Sequence, residues 1–432
     1  MPKHLKIAIA GLGTVGSETL RLLTDQADLI FSRAGAPITV SAISARQRDK
    51  DRGIDIGKFK WFDDASLMAS NSDADIIIEL IGGADGVAYD TCKSALAKGR
   101  HLVTANKALV AHHGLELARI AETSKVQLCY EAAVAGGIPI VKSIREGLAA
   151  NPIDQISGIL NGTCNYVLTK MREDNLDFET ALKNAQSLGY AEDDPSFDVD
   201  GIDSAHKLAI LASLAFGTKI NFKDVFIEGI RKIKKMDFEF AEELGYKIKL
   251  LGIATKTNDG IKQRVHPCLV PLEAPLSNIE NVINAIEVDC KYADNIMHVG
   301  HGAGAAPTAS AVVADVIDIA RGHITQVFGV SNSSLVNFPS IPMNQHRGSY
   351  YMRLIVLDKS GVFAEIAAIL RDHEVSMESV LQRGRNPGEP VPLVMVVHET
   401  LEANMSAAIN EINQLDPIVE TPFIIRIELP TT

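Results

Sequence analysis

The chain has 432 residues, 46% of them hydrophobic and 22% charged, with a formal net charge of −12. That length suggests two to four domains with ample core, and the acidic balance excludes a nucleic-acid binder, which needs a basic face, and a polybasic membrane anchor. The five cysteines are scattered, odd in number and without a Cys-x-x-Cys pair, which argues against a disulfide framework or a zinc site and fits a reducing cytoplasm. No apolar run reaches the roughly 18 residues that a spanning helix needs. The run Ile7–Ala10 is too short for a signal peptide. The expectation is a cytoplasmic protein with no membrane and no nucleic-acid partner.

Leu5–Ala10 reads as a buried strand, Gly11-Leu-Gly13-Thr14-Val15-Gly16 follows at once, and Ser17–Thr24 has helical spacing. Strand, glycine turn and helix in that order suit a dinucleotide. Gly11 permits the tight turn, Gly13 lets a pyrophosphate approach, and Gly16 lets helix and strand pack closely. The phosphate then sits on the helix N-terminus. The competing reading is an ordinary glycine turn in a flavodoxin-like domain. Ile38–Ser44, Asp75–Leu80, His101–Thr104 and Val126–Tyr130 read as further strands of a doubly wound parallel sheet. After the second strand, Ser44-Ala-Arg46-Gln-Arg48 offers no acid for a ribose 2′-hydroxyl. A 2′-phosphate would meet two cations there, so NADP is favoured and NAD stays possible. Alternatively, Arg46 and Arg48 are solvated loop charges. Lys107 stands at the carboxyl end of a strand, where open α/β sheets bind ligands.

Tyr130-Glu-Ala-Ala-Val-Ala-Gly-Gly-Ile-Pro139 turns carbonyls out of regular pairing. Joined by Glu131, they can coordinate a hard cation, or the segment is a hinge between domains. Cys164, in Asn161-Gly-Thr-Cys-Asn-Tyr, is either a thiol nucleophile or a small buried filler.

Between Gly189 and Lys207 lie Glu192, Asp193, Asp194, Asp198, Asp200 and Asp203, broken by Pro195 and Gly201. Helical spacing starts at Ile202, so Asp203 and Lys207 share a face one turn apart. They are a surface ion pair, or an anchor for a substrate ammonium beside a proton donor, with Glu192 as a second ligand.

Four motifs in this order make the chain resemble the homoserine dehydrogenase family: Gly-Leu-Gly-Thr-Val-Gly; Thr104-Ala-Asn-Lys107; Glu131 to Pro139 with Gly158-Ile-Leu-Asn-Gly-Thr; and Leu188-Gly-Tyr-Ala-Glu to Lys207. The resemblance covers roughly residues 5 to 340. It implies an NAD(P)-dependent oxidoreductase interconverting L-homoserine and L-aspartate 4-semialdehyde, in threonine, methionine and isoleucine biosynthesis. It implies Lys207 as the acid/base, Asp203 and Glu192 as homoserine contacts, and Lys107 at the junction of cofactor and substrate. Asp198 matches a further acid of the motif, while Phe197 replaces an acid found in some members. Glu131, Val134, Gly136 and Ile138 align with a structural sodium site, three of them through carbonyls. The expected cofactor contacts are Gly11, Gly13, Thr14, Val15, Gly16, Arg46, Lys107, Gly189, Gly302 and Gly304.

His298 to Ala309 is a second glycine-rich turn, with Pro307 opening a helix that continues to Arg321. Asn337–Arg347 reads as a linker. Beyond it, Tyr350–Leu357, Phe363–Asp372, Val375–Arg383, Val391–His398, Leu401–Ile412 and Ile418–Leu429 give a βαββαβ order, with Gly384–Pro390 as a loop. With Asp358-Lys-Ser-Gly361 at its first turn, this segment resembles an ACT regulatory domain. Such a domain implies an amino-acid effector, plausibly L-threonine, contacting Gly361, although it can equally be a dimerisation module.

The expected fold class is α/β: a Rossmann-type parallel sheet, an α+β substrate and dimerisation domain, and a ferredoxin-like βαββαβ ACT domain. The expected boundaries are 1–139 with 305–340 for the nucleotide domain, 140–304 for the substrate domain, and 349–429 for the ACT domain. A homodimer or homotetramer is expected. The competing functions are a phosphorylating semialdehyde dehydrogenase using Cys164 and a non-enzymatic nucleotide and amino-acid sensor.

Overall fold

The computed structural model describes residues 4–383 and 386–429. Met1–Lys3 of the expected first domain, Gly384–Arg385 of the expected loop and the last three residues lie outside them. Six parallel strands form the first sheet: β1 (Leu5–Ala10), β2 (Ile38–Ser44), β3 (Lys60–Phe62), β4 (Ile76–Glu79), β5 (His101–Thr104) and β6 (Leu128–Cys129). Their spatial order is β3-β2-β1-β4-β5-β6. The order reverses between β1 and β4, which opens a crevice at the carboxyl ends of those strands. β3 escapes a periodicity reading because it is three residues long and only partly buried.

The helix Thr14–Asp25 starts inside the glycine turn and buries Gly16, Thr19, Leu20 and Leu23, a helical spacing. A segment from far along the chain packs against it. The helix Ala305–Ala320 adds Val312, Val313, Val316 and Ile319 to the same core as Ile7 and Ile9. This helix starts at Ala305, so Pro307 is its third residue rather than its first. A proline is tolerated there because N–H groups of the first turn have no intrahelical partner.

The second sheet is mixed. Its strands are β7 (Ile153–Ile159), β8 (Phe226–Ile227), β9 (Tyr246–Lys256), β10 (Ile261–Pro271), β11 (Ile283–Cys290), β12 (Asp294–His301), β13 (Arg347–Leu357), β14 (Met377–Gln382), β15 (Pro390–Leu401) and β16 (Phe423–Ile427). They run in the order β12-β11-β7-β9-β10-β16-β13-β15-β14, with β8 paired to β10. The βαββαβ unit therefore does not hang from a free tether. Its edge strand β16 pairs in parallel with β10, Cys268 opposite Arg426 and Leu269 opposite Ile427. The expected linker is also held, since Ile261 N–H donates to the Pro339 carbonyl and Ile341 N–H to the Ile261 carbonyl.

The helix Ile202–Phe216 sits at the centre. It packs on β7, β9 and β10 and on the helix Lys107–Ser124. It is buried almost all round, which marks a core helix. Among the described residues no helix is long and apolar enough to cross a membrane.

Candidate functional site

The glycines of the first turn divide by cause. A Cβ on Gly16 would lie 1.9 Å from the Gly11 carbonyl oxygen, and one on Gly11 would lie 2.4 Å from that of Leu80. A Cβ on Gly13 would meet nothing within 4 Å. Gly11 and Gly16 thus serve the protein's own packing, and Gly13 faces open space at a helix N-terminus suited to an anion. Gly11, Gly13 and Arg46 line a cavity of about 650 Å³ that also takes in Lys50, Arg52, Asp63 and Asp64. Sequence reasoning missed Lys50 and Arg52. Arg52 is tied to the loop, its Nε donating to the Leu12 carbonyl at 3.1 Å and its Nη1 to that of Lys50 at 2.8 Å. Arg48 does not line this cavity; its guanidinium lies 5.8 Å from the Trp61 ring centre.

A second cavity, of about 300 Å³, continues from the strand ends toward the central helix. Val15, Lys107, Gly136, Lys207, Gly302 and Gly304 line it, together with Ile81 and Gly82. Glu79, buried at the end of β4, shapes this wall. Its Oε1 accepts from the backbone N–H groups of Ile81 and Gly82, and its Oε2 from Thr104 Oγ1 at 2.6 Å. Thr14 belongs to the same turn as Val15 but lines neither cavity. Gly189 stands just past the helix Phe178–Ser187, with φ +74°, and lines neither cavity either.

Where the second cavity meets the central helix, Asp203 lies buried between two lysines. Lys207 Nζ donates to Asp203 Oδ2 and to the Leu160 carbonyl, each at 2.7 Å. Lys107 Nζ lies 2.6 Å from Asp203 Oδ1. That contact takes one acceptor site of Oδ1, and a carboxylate oxygen keeps a second. The Asp203–Lys207 pair is buried, not on the surface. Asn161 organises it. Its Oδ1 caps the helix Gly162–Glu173 through the Cys164 N–H, and its Nδ2 donates to Asp198 Oδ1 and Asp203 Oδ2, both at 2.8 Å. An Asn in a Gly/Asn turn signals a helix cap in sequence; its second task depends on a carboxylate 42 residues away.

The charges are differentiated. Burial opposes ionisation of Asp203, but Lys207 and Lys107 outweigh it and hold its carboxyl well below the usual range. Burial, aided by Lys107 and opposed by Asp203, lowers the Lys207 pKa. Burial also works against the Lys107 ammonium, yet Asp203, Asp198 and Glu192 prevail and raise its pKa. Lys107 is the first residue of the helix Lys107–Ser124, where the dipole disfavours a cation; Asp203 offsets that. Phe197 adds its ring 5.5 Å from the Lys107 ammonium, a cation–π contact. Asp198 is pushed upward by burial and by Asp203.

Glu192 is exposed at the rim, near enough to bear on Lys107. Two of the remaining acids have structural work. Asp194 accepts the Ser196 N–H and fixes the turn, and Asp200 pairs with Arg231. Asp193 is exposed. Cys164 is fully buried, and its thiol donates to the Asp198 carbonyl at 3.2 Å. Burial pushes its pKa up, so it stays protonated and the thiol-nucleophile reading falls.

Glu131 is buried, and its two carboxylate oxygens accept the N–H groups of Val141 and Lys142. Burial and the neighbouring Asp315 push its pKa up to about 7, the mark of a carboxylate with too little positive charge around it. Ala135 and Gly136 both take left-handed φ, +56° and +52°, which turns the backbone carbonyls between Val134 and Ile138. For Ala135 that is strained backbone. The Ile138 carbonyl also accepts the Ile140 N–H. A buried carboxylate beside turned carbonyls is a set of hard oxygen donors. Gly361 precedes the helix Val362–Asp372 with φ +96°, and a Cβ there would meet nothing within 4 Å.

Comparison with known proteins gives one family along the whole chain. The model described as homoserine dehydrogenase matches residues 139–317, that of the homoserine dehydrogenase NAD binding domain residues 11–131, and that of the ACT domain residues 350–417. The homoserine dehydrogenase of Neisseria gonorrhoeae is 42% identical over 432 residues, covering 99% of each chain. That of Helicobacter pylori is 41% identical over 428 residues, 99% of this chain and 100% of the relative. A crystal structure of a homoserine dehydrogenase from Thiobacillus denitrificans superposes with a TM-score of 0.93 at 41% identity, covering 99% of this chain and 98% of the other.

Proposed function

The chain belongs to the homoserine dehydrogenase family and is an NAD(P)-dependent oxidoreductase, and on that premise we propose how its residues divide the reaction between L-homoserine and L-aspartate 4-semialdehyde. One observation carries the reading: a buried carboxylate, Asp203, held between Lys207 at 2.7 Å and Lys107 at 2.6 Å at the end of the cavity that leads from the nucleotide turn.

The nicotinamide, when bound, accepts or returns the hydride. In the oxidative direction Lys207, with its lowered pKa, takes the proton of the substrate hydroxyl; in the reductive direction its ammonium stabilises the developing oxyanion and returns the proton. Lys107, with its raised pKa, keeps its charge and serves as an electrostatic clamp where cofactor and substrate meet. The free capacity of Asp203 Oδ1, with Glu192 at the rim and Asp198 behind it, suits the substrate ammonium. Fixing that end sets the reacting carbon against the nicotinamide.

The missing acid after β2, with Arg46 and Lys50 on the cavity wall, supports NADP over NAD. Glu131, with the carbonyls of Val134, Gly136 and Ile138, supports a structural monovalent cation such as Na+. The packing of Ala305–Ala320 on Thr14–Asp25 supports a discontinuous nucleotide domain of residues 1–139 and 305–340, with 140–304 as substrate domain and 349–429 as ACT domain. We read the ACT unit as a receiver of amino-acid feedback from L-threonine, in threonine, methionine and isoleucine biosynthesis. A homodimer or homotetramer is proposed, supported by the outer strand β12 with its half-exposed Val299. Reduced-nicotinamide formation with L-homoserine, compared for NADP and NAD in purified protein, tests the central assignment. Turnover with NADP at the lower KM supports it; absence of turnover with either cofactor sinks it.

A further inference from the structure

Asn284 stands in β11 between Ile283 and Ala285 and is 1% exposed. Asparagine is depleted in strands, where β-branched and aromatic residues pack better. Neither its Oδ1 nor its Nδ2 has a hydrogen-bond partner among the described residues. A buried amide without partners costs stability, and an apolar side chain avoids that cost. A local rule broken in this way marks a functional position more often than a packing one.

The amide lies against backbone that builds the site. Asn284 is opposite Gly300 in β12, and Gly302, two residues further, is its diagonal neighbour on the same face. A Cβ on Gly302 would lie 2.1 Å from Asn284 Nδ2. Gly302 is therefore glycine because the amide rests on its bare Cα. Gly302, Ala303 and Gly304 line the cavity that holds Lys107 and Lys207. On its other side, Asn284 Oδ1 would lie 3.3 Å from a Cβ on Gly162, the first residue of the helix Gly162–Glu173. Gly162 follows Asn161, which donates to Asp198 and Asp203. The amide is wedged between one wall of the cavity and the segment that holds the substrate carboxylates.

We propose that Asn284 is a positioning residue for hydride transfer. In the loaded enzyme its amide hydrogen-bonds to peptide groups of the Gly302–Gly304 turn and holds that wall of the cavity against the nicotinamide end of the cofactor. The inference rests on the reading of the cavity around Lys107, Asp203 and Lys207 as the place of reaction. Asn284 does not line that cavity and acts through Gly302. The separate cavity at Gly13 and Arg46 lies outside its reach. Its removal therefore falls on kcat, through a misplaced reacting centre, and leaves the affinity for the cofactor nearly unchanged.

The test compares Asn284→Val and Asn284→Thr in the full chain, two strand-favoured side chains of one shape that differ by a hydroxyl. Three quantities are measured: the melting temperature of the free protein, the Kd for NADP by fluorescence titration, and kcat and KM with L-homoserine. The Val variant is expected to melt at or above the wild-type temperature, because no hydrogen bond of the free protein is lost. It is expected to bind NADP within about threefold of wild type and to lose kcat about tenfold or more. The Thr variant, which keeps a donor and acceptor, is expected to recover several-fold of that loss. A Val variant whose kcat falls together with its melting temperature overturns the proposal, since a structural role accounts for both. Equal losses in Val and Thr also overturn it, since volume alone then explains them. A Val variant with wild-type kcat, beside a wild type that turns over homoserine, overturns the role of Asn284 and leaves the assignment of the reaction intact.

Discussion

Replacing Asp203 with Asn isolates the charge at the centre of the site. The variant keeps the shape and leaves two ammonium groups facing an uncharged amide in a buried setting. Breaking a buried pair in this way costs about 3–5 kcal/mol. The fold has one escape: Lys207, the more buried lysine, gives up its proton. With an ordinary lysine pKa of about 10.4 in the unfolded chain, that release costs about 4.6 kcal/mol at pH 7 and about 2 kcal/mol at pH 9. The folded wild type holds a proton on Lys207 that the folded variant lacks. The wild-type advantage is therefore full at low pH and is lost as pH rises, by about 1.4 kcal/mol per unit, until Lys207 in the wild type also deprotonates. Urea unfolding of both proteins from pH 7 to pH 10, followed by far-UV circular dichroism, measures it. Trp61 fluorescence is unsuitable because that residue lies in the other sheet. A penalty under about 1 kcal/mol at pH 7, or one that grows with pH, refutes this account of the cluster.

Asn161→Ala is expected to raise the KM for homoserine about tenfold or more, because both carboxylates lose their shared donor; an unchanged KM contradicts the positioning role. Arg46→Ala is expected to raise the KM for NADP about tenfold while leaving that for NAD within about twofold, read from initial rates with each cofactor. Glu131→Gln is expected to lower the melting temperature and abolish any stabilisation of the wild type by NaCl over choline chloride, measured by calorimetry; retained sodium dependence places the cation elsewhere.

Much of the fold was legible because its signals are local. The Gly11–Gly16 turn between a buried strand and a helix, the alternation through β5, and the βαββαβ order after residue 347 all follow from short-range pattern. β3 was hidden by its brevity, and the β16–β10 pairing by its range, since Arg426 meets Cys268 across more than a hundred residues. The candidate site divides the same way. Asp203 and Lys207 were visible as a one-turn pair, but spacing equally allowed a surface ion pair, and only burial shows otherwise. The contact of Lys107 with Asp203 depends on packing between two helices from different units. Arg52 and Lys50 were missed because the loop after β2 folds back on the glycine turn. The excess of acids was explained only when Asp200 met Arg231 and Asp194 met the Ser196 N–H.

The most direct measurement is turnover of L-homoserine with NADP by wild type and Lys207→Met, paired with NADP affinity from fluorescence titration. The account predicts a kcat reduced about a hundredfold or more and a cofactor Kd within about twofold of wild type. A variant that keeps wild-type kcat with the same cofactor affinity contradicts the assignment of proton transfer to Lys207.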